Sequence, residues 1–193
     1  MPDSTGADFR DRGYAVVRNI VDAQQCRFVR AAMDASERTG RLHHATAVVP
    51  QGALNEYSPV GAEALLLHCR PAFEAIAGRA LLPAYGFWRI YGNGAELRRH
   101  VDRNACEVSA SLPIFAEPAG EAWPIHVAGL DGADASVALS PGDAILYQGC
   151  NIPHWRDAFP GERQYQVFLH YVYADGDKTA FAFDRRDGLR LHG

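Results

Sequence analysis

The chain has 193 residues, 48% of them hydrophobic and 22% charged, with a formal net charge of −4. That length suits one domain able to bury a good core, and the acidic balance argues against a general nucleic-acid surface. The opening MPDSTGADFRDRGY lacks a basic stretch followed by an apolar core, and no run approaches the roughly 20 apolar residues that cross a bilayer; a cytoplasmic location without a membrane partner is expected.

After a short helical start, Gly13-Tyr14-Ala15-Val16-Val17 reads as a strand. Asp22 is a good N-cap for a helix through about Thr39, closed by Gly40, with Cys26, Val29, Ala32 and Met33 recurring at three- and four-residue steps. A loop with Pro50, Gly52 and Pro59 leads to a second helical stretch, roughly 61 to 79, which Pro71 should break or restart. From Leu81 onward the texture becomes short strands, expected near 85–91, 97–102, 107–114, 123–128, 134–139, 143–148, 153–157 and 164–173. Turn residues such as Gly92-Asn93-Gly94 and Pro141-Gly142-Asp143 punctuate them. Eight short strands fit a jelly roll. The expected architecture is one domain over 1–193, mainly β: a helical N-terminal layer (1–80), a double-stranded β-helix core (81–175) and a C-terminal tail (176–193).

The chemistry-bearing pattern is His100-Val101-Asp102, followed 54 positions later by His154. Two residues apart on a strand, His100 and Asp102 project from one face. A histidine returning from another strand could complete two imidazoles and a carboxylate around one metal, the facial arrangement of non-haem Fe(II) oxygenases. The H-x-D spacing recurs by chance, so its setting matters: YGNGAELRRHVDR and SPGDAILYQGCNIPHWRDAF both read as strand, Gly-rich turn, strand.

These segments resemble the Fe(II)/2-oxoglutarate-dependent dioxygenase superfamily. FRDRGYAVVRNIVDAQQCRFVRAAM is similar to the entry of its phytanoyl-CoA-hydroxylase-like branch, YGNGAELRRHVD to the metal segment of its prolyl-hydroxylase-like branch, and PGDAILYQGCNIPHW with RQYQVFLHYV to its distal-histidine region. The resemblance implies His100, Asp102 and His154 as catalytic iron ligands, with 2-oxoglutarate and O2 as co-substrates. It implies a basic residue about nine or ten positions after the distal histidine to hold the far carboxylate. Arg163 is nine after His154, position ten is Gln164, and Arg156 would share the face of His154 and is a rival. Tyr91 matches a co-substrate-binding tyrosine. Related halogenases lack the carboxylate ligand, so the presence of Asp102 points to hydroxylation or another C–H oxidation, with release of succinate and CO2.

Arg103 is the candidate contact for an anionic group of a small-molecule substrate, while Arg98 and Arg99 fit a solvated face. His43 and His44 are expected to be exposed, His126 and His170 to be hydrogen-bonded or at the surface, His192 to lie in the tail, and Trp123 and Trp155 to be packing residues. Cys26, Cys69, Cys106 and Cys150 form no C-x-x-C pair and read as reduced thiols without a chemical role. Alternatives are a peptide or protein hydroxylase, a non-catalytic jelly-roll metal- or ligand-binding module, and a cupin-type metalloenzyme, which Asp102 fits poorly.

Overall fold

The computed structural model describes residues 4–44, 47–49, 51–120 and 122–189; His192 lies outside them. Helix α1 (Ser4–Arg12) leads into β1 (Tyr14–Val17), and α2 (Ala23–Arg38) follows. The Asp22 carboxylate accepts from the Gln25 N–H while the Gln25 side chain accepts from the Asp22 N–H, a reciprocal box that satisfies two end donors of α2. Helix α3 (Val60–Ala77) ends at Gly78, whose φ of 68° suits a residue without Cβ. It passes through Pro71 without breaking, contrary to expectation. Pro71 is exposed, so the carbonyl it leaves unbonded faces water, while Leu66, Cys69, Phe73 and Ile76 hold the buried side in place.

The stretch expected to be loop carries two short strands, β2 (His43–His44) and β3 (Ala53–Tyr57), so the layer before residue 80 is not wholly helical. All eight strands expected beyond it form: β4 (Leu81–Gly92), β5 (Leu97–His100), β6 (Val108–Glu117), β7 (Ile125–Ala128), β8 (Asp134–Val137), β9 (Ala144–Tyr147), β10 (His154–Arg156) and β11 (Arg163–Tyr173). They build an antiparallel sheet ordered β1-β9-β6-β11-β4-β3-β2 and a second ordered β5-β10-β7-β8, the two-sheet jelly roll.

The helices cover the outer face of the larger sheet. Leu66, Phe73 and Met33 pack there with Val167, Leu169 and Tyr171, each large side chain contributing about 1.5–3 kcal/mol on burial. The inner faces enclose two smaller apolar groups, one around Tyr91, Trp123, Phe159 and Phe168, the other around Ile125, Val127, Ile145 and Ile152. A polar strip runs between them through Ser109, Ser111, Gln164, Gln166 and His170. The expected tail is docked as far as it is described. A kinked segment, Thr179–Arg185, with non-helical backbone at Ala182, Phe183 and Asp184, returns over β4, and the Arg186 guanidinium bonds the Ser58 hydroxyl, the Glu63 carboxylate and the Ala84 carbonyl.

Candidate metal centre

Strand pairing brings the two histidines together: in the β5–β10 ladder His154 stands opposite His100. Strand β5 ends at His100, so Asp102 is not on a strand as expected; it sits in the following loop. Its N–H donates to the Gly149 carbonyl (2.8 Å), which turns its carboxylate back toward the histidines. Asp102 Oδ1 lies 3.6 Å from both His100 Nε2 and His154 Nε2, and the three ligand atoms are within 4.8 Å of one another. His100 Nδ1 is 2.7 Å from the Arg98 carbonyl and His154 Nδ1 is 3.0 Å from that of Ile152. Each contact fixes the proton on Nδ1 and leaves the Nε2 lone pair facing inward, as metal-ligating imidazoles require.

Burial pushes the His154 imidazole below its usual value, which favours the neutral, metal-binding form. Burial pushes Asp102 up, but His100, His154, His170 and the Ser109 hydroxyl outweigh it and hold the carboxyl at about 2. The donor set is two imidazoles and one carboxylate converging on a common point, which fits ferrous iron. Gly149 is required here: a Cβ on it would meet Asp102 Oδ2 and Ser109 Oγ, each at 2.6 Å.

A cavity of about 390 Å³ opens over the triad, walled by Tyr85, Phe87, Leu97 and Phe168. Its size and apolar lining match a small-molecule site. Arg103 also faces it, yet both guanidinium Nη groups donate to the Asp184 carboxylate at 2.6 and 2.7 Å. Arg103, the expected contact for an anionic substrate group, stands in the cavity wall over Tyr85, with Asp184 as its ion-pair partner.

The two rival arginines lie on opposite sides of the molecule's chemistry. Arg163 is on the helix side of β11, where Nη2 donates to Glu37 Oε2 of α2 at 2.6 Å. The first-choice position for a carboxylate anchor is thus on the helix side with its Nη2 paired to Glu37, while its Nε has no hydrogen-bond partner among the described residues. Arg156, two residues beyond His154, is 2% exposed inside the barrel. Its Nη1 donates to the Trp123 carbonyl and its Nε has no partner among the described residues. Burial pulls its pKa down to about 10 against the opposing influence of Tyr91 and Tyr147. Tyr91 is fully buried in the same region, accepts from Arg89 Nη1 at 3.0 Å, and packs edge-on against Trp123.

Arg89, buried and facing the cavity, escaped the sequence reading; its only signal is a charge within the apolar run Phe87-Trp88-Arg89-Ile90-Tyr91. Ser109 and His170 were missed as members of the site because a serine or histidine on a strand has no motif around it. Cys106 also lines the cavity, its Sγ 3.1 Å from the Tyr85 hydroxyl. The four cysteines are free. His43 and His44 are exposed on the edge strand β2, and His126 pairs with Asp157 near the surface. Trp123 and Trp155 pack, against Phe159 and His126 respectively.

No protein-family model and no curated protein matches this chain. Solved structures do. A prolyl-4-hydroxylase from Pseudomonas putida superposes with a TM-score of 0.68 at 18% identity, over 88% of this chain and 98% of that one. The α-ketoglutarate-dependent epimerase SnoN of nogalamycin biosynthesis gives 0.74 at 14% identity, over 89% and 82%. HygX from Streptomyces hygroscopicus, solved with nickel, 2-oxoglutarate and hygromycin B, gives 0.71 at 10% identity, over 91% and 88%. The fold is that of the non-haem, 2-oxoglutarate-dependent Fe(II) oxygenases.

Proposed function

We propose that the chain is an Fe(II)/2-oxoglutarate-dependent oxygenase that oxidises a C–H bond of a small molecule, most simply by hydroxylation. The observation that carries this reading is the convergence of His100 Nε2, His154 Nε2 and Asp102 Oδ1 beneath a cavity of small-molecule size. The neighbouring solved structures share the fold, and several have metal and 2-oxoglutarate bound. When bound, iron would activate O2, the oxidant, and 2-oxoglutarate would supply two of the four electrons that reduce it, leaving as succinate and CO2, while the substrate C–H bond supplies the other two.

The chain's own residues then divide the remaining work. His100, His154 and Asp102 would hold the metal. Arg156 is the anchor for the far carboxylate of 2-oxoglutarate, because its guanidinium is buried inside the barrel with no carboxylate of the chain paired to it among the described residues. It lies about 7 Å along β10 from His154, two residues of extended chain, which a five-carbon diacid can bridge. Tyr91 adds its hydroxyl beside it. The aromatic walls exclude water from the face where a substrate docks. Asp102 fills the carboxylate position, which favours hydroxylation over halogenation.

Anaerobic addition of Fe(II) and 2-oxoglutarate should produce a weak visible charge-transfer band, absent in His100→Ala. Substrate screening by succinate release, followed by mass analysis for a gain of one oxygen or a loss of two hydrogens, identifies the reaction. Stimulation by peptides alone would replace the small-molecule reading with a peptide hydroxylase, and a wild-type protein without the band would sink the oxygenase reading.

A further inference from the structure

Asp102 has a second carboxylate oxygen, and the structure gives it a dedicated partner. Ser109 Oγ is 2.8 Å from Asp102 Oδ2 and 2.9 Å from His170 Nδ1. Ser109 and His170 are opposite residues in the β6–β11 ladder, both buried, so two neighbouring strands of the larger sheet place this pair directly behind the metal ligand. The polarity of the chain follows from valence. The ionised carboxylate can only accept, so the single Ser109 hydroxyl proton goes to Oδ2. The hydroxyl oxygen must then accept, and His170 Nδ1 must carry the hydrogen it accepts. The Cys106 carbonyl lies farther from that hydroxyl, at 3.3 Å.

We infer that Ser109 and His170 are positioning residues that reserve Asp102 Oδ2, leaving Oδ1 as the one carboxylate oxygen offered to the metal. The inference rests on the metal-centre reading above. A carboxylate free to rotate could present both oxygens to one ion and close a position that co-substrate or O2 needs. Three features oppose that rotation: the hydrogen bond from Ser109, the Asp102 N–H held by the Gly149 carbonyl, and the absence of a Cβ at Gly149 that lets the group pack this closely. A purely structural role would require only that the three polar groups satisfy one another. The positioning role requires in addition that breaking the chain at His170, one hydrogen bond removed from the ligand, alters what the metal experiences.

The test uses the full chain with Mn(II) titrated into the metal-free protein and Co(II) as a spectroscopic probe. Ser109→Ala and His170→Phe should each weaken Mn(II) binding about 10- to 100-fold, the range for partners that orient metal ligands, and change the visible Co(II) spectrum. His170→Asn, whose amide N–H can stand where the imidazole Nδ1–H stood, should restore both. Unchanged Mn(II) affinity and Co(II) spectrum in Ser109→Ala and His170→Phe overturn the inference, as does a His170→Asn variant no better than His170→Phe. If Ser109→Ala does not fold, the two His170 variants decide alone, and if His170→Phe does not fold, Ser109→Ala decides. His154→Ala serves as the reference: should it bind metal like the wild type, the triad reading itself fails, which is a separate result.

Discussion

On strand β11 Tyr165, Val167, Leu169 and Tyr171 enter the core beneath the helices, whereas Gln164, Gln166, Phe168 and His170 enter the barrel. Both faces carry polar groups, and they are treated differently. On the helix side Arg163 meets Glu37, the Tyr165 hydroxyl donates to Asp34, and the Tyr171 hydroxyl donates to the Leu66 carbonyl. Inside the barrel His100 and His154 turn Nε2 toward Asp102, and Arg156 lies buried without an ion pair among the described residues. A cation paired with a carboxylate of the chain serves folding, and one buried without such a partner is the better candidate for a ligand's carboxylate. Substitutions on the two faces should therefore fail in different assays.

The largest separation is expected at the ligands. Asp102→Ala and His154→Ala should reduce metal affinity by more than about 100-fold, beyond the effect of losing an orienting partner, as measured by Mn(II) titration, with little loss of melting temperature in the metal-free protein. Phe73→Ala is the counterpart on the helix side. It should cost about 3–5 kcal/mol in denaturant unfolding, the range for emptying a buried aromatic site, while the folded fraction binds metal normally. A Phe73 variant that loses metal affinity without losing stability would break the distinction between the faces.

The rival arginines sharpen it further. Arg156→Ala should raise the 2-oxoglutarate dissociation constant about 10- to 100-fold, corresponding to a charge-assisted bond of about 1.5–3 kcal/mol. Arg163→Ala should leave that constant unchanged and cost no more than about 1 kcal/mol of stability, as for a partly exposed ion pair. Titration of 2-oxoglutarate into the Fe(II) protein, followed by its charge-transfer absorption, reads both. The opposite ranking would return the anchor to Arg163.

That pair also marks how far the sequence could be read. The triad was legible because H-x-D and a distant histidine in strand–turn contexts constrain geometry whatever the precise strand end, and they survive the fact that Asp102 lies beyond β5. The α2 cap was legible because Asp22 and Gln25 are local to each other. Which face of β11 turns inward was not, since both faces mix polar and apolar residues and the more apolar one packs beneath the helices instead of into the barrel. The sequence therefore left Arg163 and Arg156 open, and it held no sign that Glu37 of α2 pairs with the first. Ser109 and His170 are 61 positions apart and meet through strand pairing alone. Strands β2 and β3 were hidden by the Gly and Pro around them, which punctuate a loop and an edge hairpin alike.

Asp143 offers the smallest and most stringent test, because it is buried, charged and remote from the barrel interior. In the Pro141-Gly142-Asp143 turn its carboxylate accepts from the Asn19 and Ser140 N–H groups and from Arg18, tying the β1–α2 connection to the start of β9. Burial alone would raise its pKa, but the Asn19 N–H, Arg18 and the Ser140 N–H together bring it below the ordinary aspartate value. A carboxyl lowered by folding contributes stability above its unfolded pKa of about 3.9 and loses it as pH falls through the folded value. Asp143→Asn should then cost about 1 kcal/mol, a typical net hydrogen-bond contribution, at any pH above about 5, and the difference from wild type should shrink steadily below about pH 4. Urea unfolding of both proteins across that range measures it. Metal and 2-oxoglutarate affinities should not change, since this charge is answered entirely by groups of the chain. A gap that persisted undiminished at low pH would mean that Asp143 acts through packing, and an altered metal affinity would mean that the division between folding and binding groups does not hold at the sheet's margin.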